Sequence, residues 1–174
     1  MSLTVLLGGA RAGKSALALE LAKEQRGPVV YVATAEALDD EMAVRIARHR
    51  SERPAEWRTV EEPVALRSVL ASVEPEACVV VDCLTLWVAN LLARGDDVLP
   101  EAEAVAELAA GRSEATIVVS NEVGLGIVPA SPIAREYRDL LGSVNATFVR
   151  RAADAAFVVS GCGIPLQPGW RPRA

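Results

Sequence analysis

The sequence predicts an α/β protein, one P-loop NTPase-like domain spanning residues 1–174, with a mostly parallel sheet flanked by helices. Three observations predict it. Short apolar runs alternate with stretches of helical period along the chain, and right-handed crossovers turn such an alternation into a parallel sheet. The first apolar run leads directly into Gly8-Gly-Ala-Arg-Ala-Gly-Lys-Ser15, which has the spacing of a phosphate-binding loop. The chain is 51% hydrophobic yet 4% aromatic, so its core is built from Val, Leu, Ala and Ile, the usual filling of a sheet buried on both faces.

Leu3 to Leu7 is read as the first buried strand and Ser15 to Glu24 as the helix after the loop. Gly8 and Gly13 allow the tight turn, and Gly9, Ala10, Arg11 and Ala12 contribute successive N–H groups to one concavity. Lys14 reaches β- and γ-phosphates, the Ser15 hydroxyl is placed to ligate Mg²⁺, and the helix dipole adds to the anion site. Val29 to Ala33 is a second strand, with Thr34, Ala35 and Glu36 in its carboxyl-end loop, where open α/β sheets bind ligands. Asp39, Asp40 and Glu41 suit a helix N-terminus, and the helix continues from Met42 to Arg50. On it Met42, Ile46 and His49 fall together, with His49 at the border of the apolar stripe. Arg45, Arg48, Arg50 and Arg53 make this the most basic stretch of the chain, and a solvated basic face is the ordinary explanation of such a run.

Trp57 to Glu62 is a short strand or edge segment, and Pro63 opens a helix running from Val64 to Ser72. Ala77 to Asp82 is an apolar strand ending in an acid, the form of a Walker B strand whose carboxylate holds Mg²⁺; capping of the next helix is the alternative role of Asp82. Leu84 to Ala93 and Pro100 to Ala110 read as helices around a turn at Arg94 to Val98. Ala115 to Ser120 is a further strand, running into the Asn121 to Pro129 loop with Glu122, Gly124 and Gly126. A long helix follows from Pro132 to about Ala153, and Ala156 to Ser160 is the last strand.

The formal charge of −5 argues against a general nucleic-acid binder. Cys78, Cys83 and Cys162 lack paired spacing and read as small core thiols, and one histidine makes a zinc site improbable. No leader pattern or membrane-spanning run stands out, so the expectation is a soluble, cytoplasmic protein without a membrane span.

Beyond the phosphate loop, Ala33-Thr34, Leu38-Asp-Asp-Glu-Met42, Arg45-Ile46 with His49, Arg53-Pro54, Trp57-Arg-Thr59, Asp82-Cys83, Asn121 to Pro129, Val144-Asn145 and Val159-Ser160-Gly161 carry a resemblance. Together they resemble the adenosylcobinamide kinase / adenosylcobinamide-phosphate guanylyltransferase family over nearly the whole chain. The Asp-Asp-Glu-Met helix with its histidine and the Asn-Glu-Val-Gly loop are the most specific parts. The resemblance implies a homotrimer with a RecA-like sheet and a bifunctional enzyme of cobalamin assembly. Such an enzyme phosphorylates adenosylcobinamide from ATP or GTP and then transfers GMP from GTP to adenosylcobinamide phosphate. In the family the guanylyl group passes through a histidine, matched here by His49. Resemblance and loop position together put Ala33, Thr34, Ala35, Arg50, Ser51, Glu52, Arg53 and Glu61 around bound GTP, with Glu61 accepting from ribose or guanine N–H groups. A single-activity P-loop kinase would need Lys14, Ser15 and Asp82 but no histidine among arginines. A switch GTPase would carry an Asn-Lys-x-Asp motif, which this sequence lacks.

Overall fold

The computed structural model describes residues 3–37 and 39–167; Leu38 of the Asp-Asp-Glu-Met motif lies outside them. In chain order the elements are β1 (Leu3–Gly8), α1 (Lys14–Lys23), β2 (Val29–Ala33), α2 (Asp40–Ser51), β3 (Arg58–Glu61), α3 (Leu66–Ser72), β4 (Cys78–Asp82), α4 (Leu84–Arg94), α5 (Val98–Gly111), β5 (Thr116–Val119), α6 (Pro132–Arg151), β6 (Asp154–Val159) and β7 (Cys162–Leu166). The seven strands form one sheet in the order β3-β2-β4-β5-β1-β6-β7. Each pairing is parallel except that of β6 with β7.

Strand periodicity divides the core between the two faces. Leu3, Val5, Leu7, Val30, Val32, Val79 and Val81 point to one side, where Leu66, Trp87, Leu91, Val105, Leu141 and Phe148 of α3 to α6 cover them. Leu6, Val29, Tyr31, Ala33, Cys78 and Val80 point to the other, covered by Ala18, Leu19 and Ala22 of α1 with Trp57 alongside. Trp87 is fully buried, and its indole N–H donates to the Val64 carbonyl at 2.7 Å, so the largest core side chain is also hydrogen-bonded. Arg112 ties the end of α3 to the start of β4 by donating to the carbonyls of Leu70, Val73, Glu74 and Ala77. Among the described residues no helix is long and apolar enough to cross a membrane.

Four sequence expectations need correction. The helix expected from Pro63 begins at Leu66, because the Glu62 carboxylate accepts from the N–H groups of Val64 and Ala65 and holds those residues in a capped turn. The helix expected from Pro100 begins earlier, at Val98, leaving Pro100 in the first turn where its missing N–H costs nothing. The strand through Ala156 is followed by β7, joined to β6 by Ser160-Gly161, both at positive φ, in the two-residue turn that suits antiparallel strands. Finally, Cys78 is buried, but Cys83 is half-buried and Cys162 exposed on β7, so the cysteines are not a uniform set of core thiols.

Candidate functional site

β1 delivers the phosphate loop to the carboxyl edge of the sheet. Gly8 has φ +155°, and a Cβ there would stand 2.2 Å from the Val158 carbonyl oxygen. Gly13 has φ +101°, with its Cβ position 3.2 Å from Gly161 Cα. The Gly161 N–H donates to the Ala12 carbonyl at 2.9 Å, so the β6–β7 turn buttresses the loop from outside. Lys14, 6% exposed, folds beneath the loop, and its Nζ donates to the Gly9 carbonyl at 2.7 Å. Desolvation holds the Lys14 pKa below the ordinary lysine value; Cys83 and Asp82 pull it back up, and Arg45 pushes it down again.

Asp82 ends β4, with β5 between that strand and β1. The two strand spacings, about 9.6 Å, keep its carboxylate from closing directly on the loop and leave room for phosphate oxygens between them. The Tyr31 hydroxyl donates to Asp82 Oδ2 at 2.6 Å. Burial, followed by the charge of Asp82, raises the Tyr31 pKa far above the ordinary phenol value, which keeps the hydroxyl a donor. Thr34 is fully buried. Its hydroxyl donates to the Cys83 carbonyl at 2.7 Å and accepts from the Cys83 N–H at 2.8 Å, while its N–H donates to the Asp82 carbonyl. Asn90 Nδ2 donates to the carbonyls of Thr34 and Pro63. The β2 and β4 ends are therefore cross-braced at the acid.

Helix α2 begins at an Asp39 cap whose carboxylate accepts from the Met42 N–H at 2.7 Å. None of its residues is buried; Met42, Ile46 and His49 form its half-buried stripe, as the helical wheel predicts. His49 Nδ1 lies 3.8 Å from Glu52 Oε2, Arg48 Nε 3.9 Å from Glu52 Oε1, and Arg50 Nη1 3.4 Å from Glu61 Oε1. The Arg53 guanidinium lies 3.6 Å from the Tyr31 ring centroid and donates to Thr59 Oγ1. Among the described residues Arg45 has no carboxylate at ion-pair distance, and it lies within electrostatic reach of Lys14. Arg45 and His49 are four residues apart on the same side of α2.

The β5 exit loop faces the phosphate loop from the other side. The Glu122 N–H donates to the Gly8 carbonyl at 3.0 Å. Asn145, buried on α6, accepts from the Ser120 hydroxyl and donates to the Asn121 carbonyl, and Thr85 Oγ1 accepts from the Asn121 N–H. A cleft of about 410 Å³ lies between Gly9 to Ala12 and Glu122, Leu125 and Phe157 to Ser160.

Residues 4–166 match the family described as cobinamide kinase / cobinamide phosphate guanyltransferase. The chain belongs to this family. A relative from Pseudomonas aeruginosa, the bifunctional adenosylcobalamin biosynthesis protein CobP, is 47% identical, with 94% of this chain and 96% of the relative covered. The bifunctional adenosylcobalamin biosynthesis protein CobU of Escherichia coli is 41% identical over 94% of this chain and 98% of its own length. The crystal structure of the RadB recombinase aligns with TM-score 0.52 and 20% identity over 90% of this chain and 73% of that one, placing the cobinamide kinase / guanyltransferase chain on a RecA-like P-loop sheet.

Of the residues expected in the site, Lys14 lies against the phosphate loop at Gly9, and Asp82 and Arg45 are within electrostatic reach of it. Ala33 is buried at the end of β2 in register with Glu61, Ala35 is half-buried beyond it, and Thr34 has its polar atoms engaged in the brace. Ser51 donates to the Arg48 carbonyl. Among the described residues no hydrogen bond or ion pair joins His49 to the phosphate loop. Tyr31, Asn90 and Thr85 have no role among the sequence expectations and Asn145 enters them only through the family resemblance, although a lone tyrosine in the aliphatic run of β2 is a usable signal.

Proposed function

We infer that the protein is a bifunctional enzyme of adenosylcobalamin assembly, working as one domain over residues 1–174. Its first reaction is phosphorylation of the hydroxyl of adenosylcobinamide by ATP or GTP: the hydroxyl oxygen attacks the γ-phosphorus, the bond to the β–γ bridging oxygen breaks, and nucleoside diphosphate leaves. Its second is guanylyl transfer. An imidazole nitrogen of His49 attacks the α-phosphorus of GTP, pyrophosphate leaves, and a phosphate oxygen of adenosylcobinamide phosphate then displaces the histidine to give adenosyl-GDP-cobinamide.

The observation that carries this reading is the match of residues 4–166 to the cobinamide kinase / guanyltransferase family, which His49 on α2 and the phosphate loop at Lys14 both fall within. Arg45, one turn from His49 and within electrostatic reach of Lys14, would hold charge on the transferred phosphate. Lys14 and the loop N–H groups orient the triphosphate, and Arg50, Ser51, Glu52, Arg53 and Glu61 frame the nucleoside end near Ala33 to Ala35. Among the described residues no group of three or more His, Cys, Asp or Glu could hold a metal. A cation here would rest on Asp82, the Ser15 hydroxyl and phosphate oxygens, a hard-oxygen set that fits Mg²⁺. When bound, Mg²⁺ neutralises developing phosphate charge. We further propose that the enzyme is a cytoplasmic homotrimer.

Mass spectrometry of protein incubated with GTP and Mg²⁺ tests the mechanism. Wild type acquires one GMP, lost in acid and stable in base, and His49→Ala acquires none while retaining the kinase step. An adduct on His49→Ala overturns His49 as the nucleophile, and a wild type that phosphorylates adenosylcobinamide without forming the adduct favours the single-activity kinase reading.

A further inference from the structure

We propose that Tyr31 is a positioning residue that sets the Asp82 carboxylate for its cation and links that carboxylate to the base of the histidine-bearing helix through Arg53. The proposal rests on the reading of Asp82 as the cation-holding acid.

Tyr31 is 2% exposed and lies on the sheet face covered by α1, an unusual place for a hydroxyl unless it has work to do. Its oxygen donates to Asp82 Oδ2 at 2.6 Å, the short distance of a hydrogen bond to a charged acceptor. The bond runs from the middle of β2 to the carboxyl end of β4 and fixes one carboxylate oxygen, so the other is presented in one orientation rather than several. β2 and β4 are in register through Tyr31–Val80 and Ala33–Asp82, so backbone pairing supports the same geometry.

The ring is held from its other side. Arg53 stacks 3.6 Å from the ring centroid while its Nη1 donates to Thr59 Oγ1, and among the described residues its buried Nε has no hydrogen-bond partner. A cation over a phenol ring withdraws electron density and strengthens the O–H as a donor. Arg53 lies two residues beyond the end of α2 at Ser51, and its N–H donates to the Arg50 carbonyl, so the stack also pins the point where that helix returns to the sheet. Guanidinium, ring, hydroxyl and carboxylate form one chain of contacts from helix to acid.

The test uses the full-length protein with a non-hydrolysable GTP analogue and Mn²⁺ as a paramagnetic stand-in for Mg²⁺, read by electron paramagnetic resonance. Tyr31→Phe keeps the ring and removes the hydroxyl; Mn²⁺ affinity of the nucleotide complex is expected to fall about tenfold, the scale of one hydrogen bond to a charged group. Nucleotide affinity in EDTA is expected to stay within twofold of wild type, an outcome that general loss of structure would not give. Arg53→Met is expected to weaken Mn²⁺ roughly threefold in wild type and to add nothing in the Tyr31→Phe background, since both act through the same contact. Mn²⁺ affinity within twofold of wild type in Tyr31→Phe, with Asp82→Asn weakened, overturns the role of Tyr31 and leaves the Asp82 reading standing. Asp82→Asn binding Mn²⁺ like wild type overturns both. If Tyr31→Phe does not fold, Arg53→Met decides: unchanged Mn²⁺ affinity there overturns the proposal.

Discussion

Replacing Thr34 with valine isolates the brace that joins the ends of β2 and β4. Valine has nearly the shape of threonine, so packing at this fully buried position is kept while both hydroxyl bonds to Cys83 are lost. The Cys83 carbonyl retains the Trp87 N–H as a donor at 3.2 Å, so its loss is one hydrogen bond of about 1 kcal/mol. The Cys83 N–H loses its acceptor, costing about 1–3 kcal/mol. The expected total is roughly 2–4 kcal/mol. Thr34→Ser keeps the hydroxyl and deletes one methyl group, for about 1 kcal/mol. Urea unfolding followed by tryptophan fluorescence, at several protein concentrations to separate association from folding, measures both. With a slope near 2 kcal/mol/M, Thr34→Val shifts the midpoint by about 1–2 M and Thr34→Ser by about 0.5 M. A serine variant as unstable as the valine variant would refute the brace, because methyl packing would then be the larger contribution.

The other expectations concern the phosphate loop. Lys14→Met abolishes nucleotide turnover but raises the thermal midpoint near neutral pH, because it removes a desolvated cation. The sign follows from the lowered Lys14 pKa: the penalty is complete below the folded-state value and disappears as pH rises through it toward 10.5, so the stability gap between variant and wild type narrows over that interval. Calorimetry across this pH range finding a constant gap contradicts the assignment. Gly8→Ala places a Cβ 2.2 Å from the Val158 carbonyl and is expected to cost more than about 3 kcal/mol, whereas Gly9→Ala meets nothing within 4 Å and folds normally. Equal melting points for these two variants would contradict the loop geometry.

Local chemistry explains what the sequence disclosed. The phosphate loop, the strand ending at Asp82 and the Met42, Ile46 and His49 stripe are set by residues close together in the chain, so pattern reading found them. β7 was missed because Pro165 argues against a strand, although Ser160-Gly161 is a usable hairpin signal. The brace was hidden for another reason. Thr34 finds Cys83 across 49 residues, Asn90 finds Thr34 across 56, and Asn145 finds Ser120 across 25, so each pairing depends on strand order rather than local spacing. Arg53 shows the same limit: the basic run by itself reads as a solvated face, and the stack on Tyr31 exists only after β2 and the end of α2 meet.

The absence of a buried residue in α2 bears on how the molecule opens under native conditions. A twelve-residue helix is marginal in water by its own hydrogen bonds, and this one is supported by an end cap and exposed charge pairs. Its amides therefore exchange with solvent through local opening, at a free energy well below that needed to separate β1, β4 and β5. The core strand β1 that leads into the phosphate loop is expected in the most cooperative unit of the protein, and His49 in one of the least. Amide exchange should report two separate regimes across the proposed site: slow and global at Leu6 and Val81, fast and local from Ala43 to Arg50.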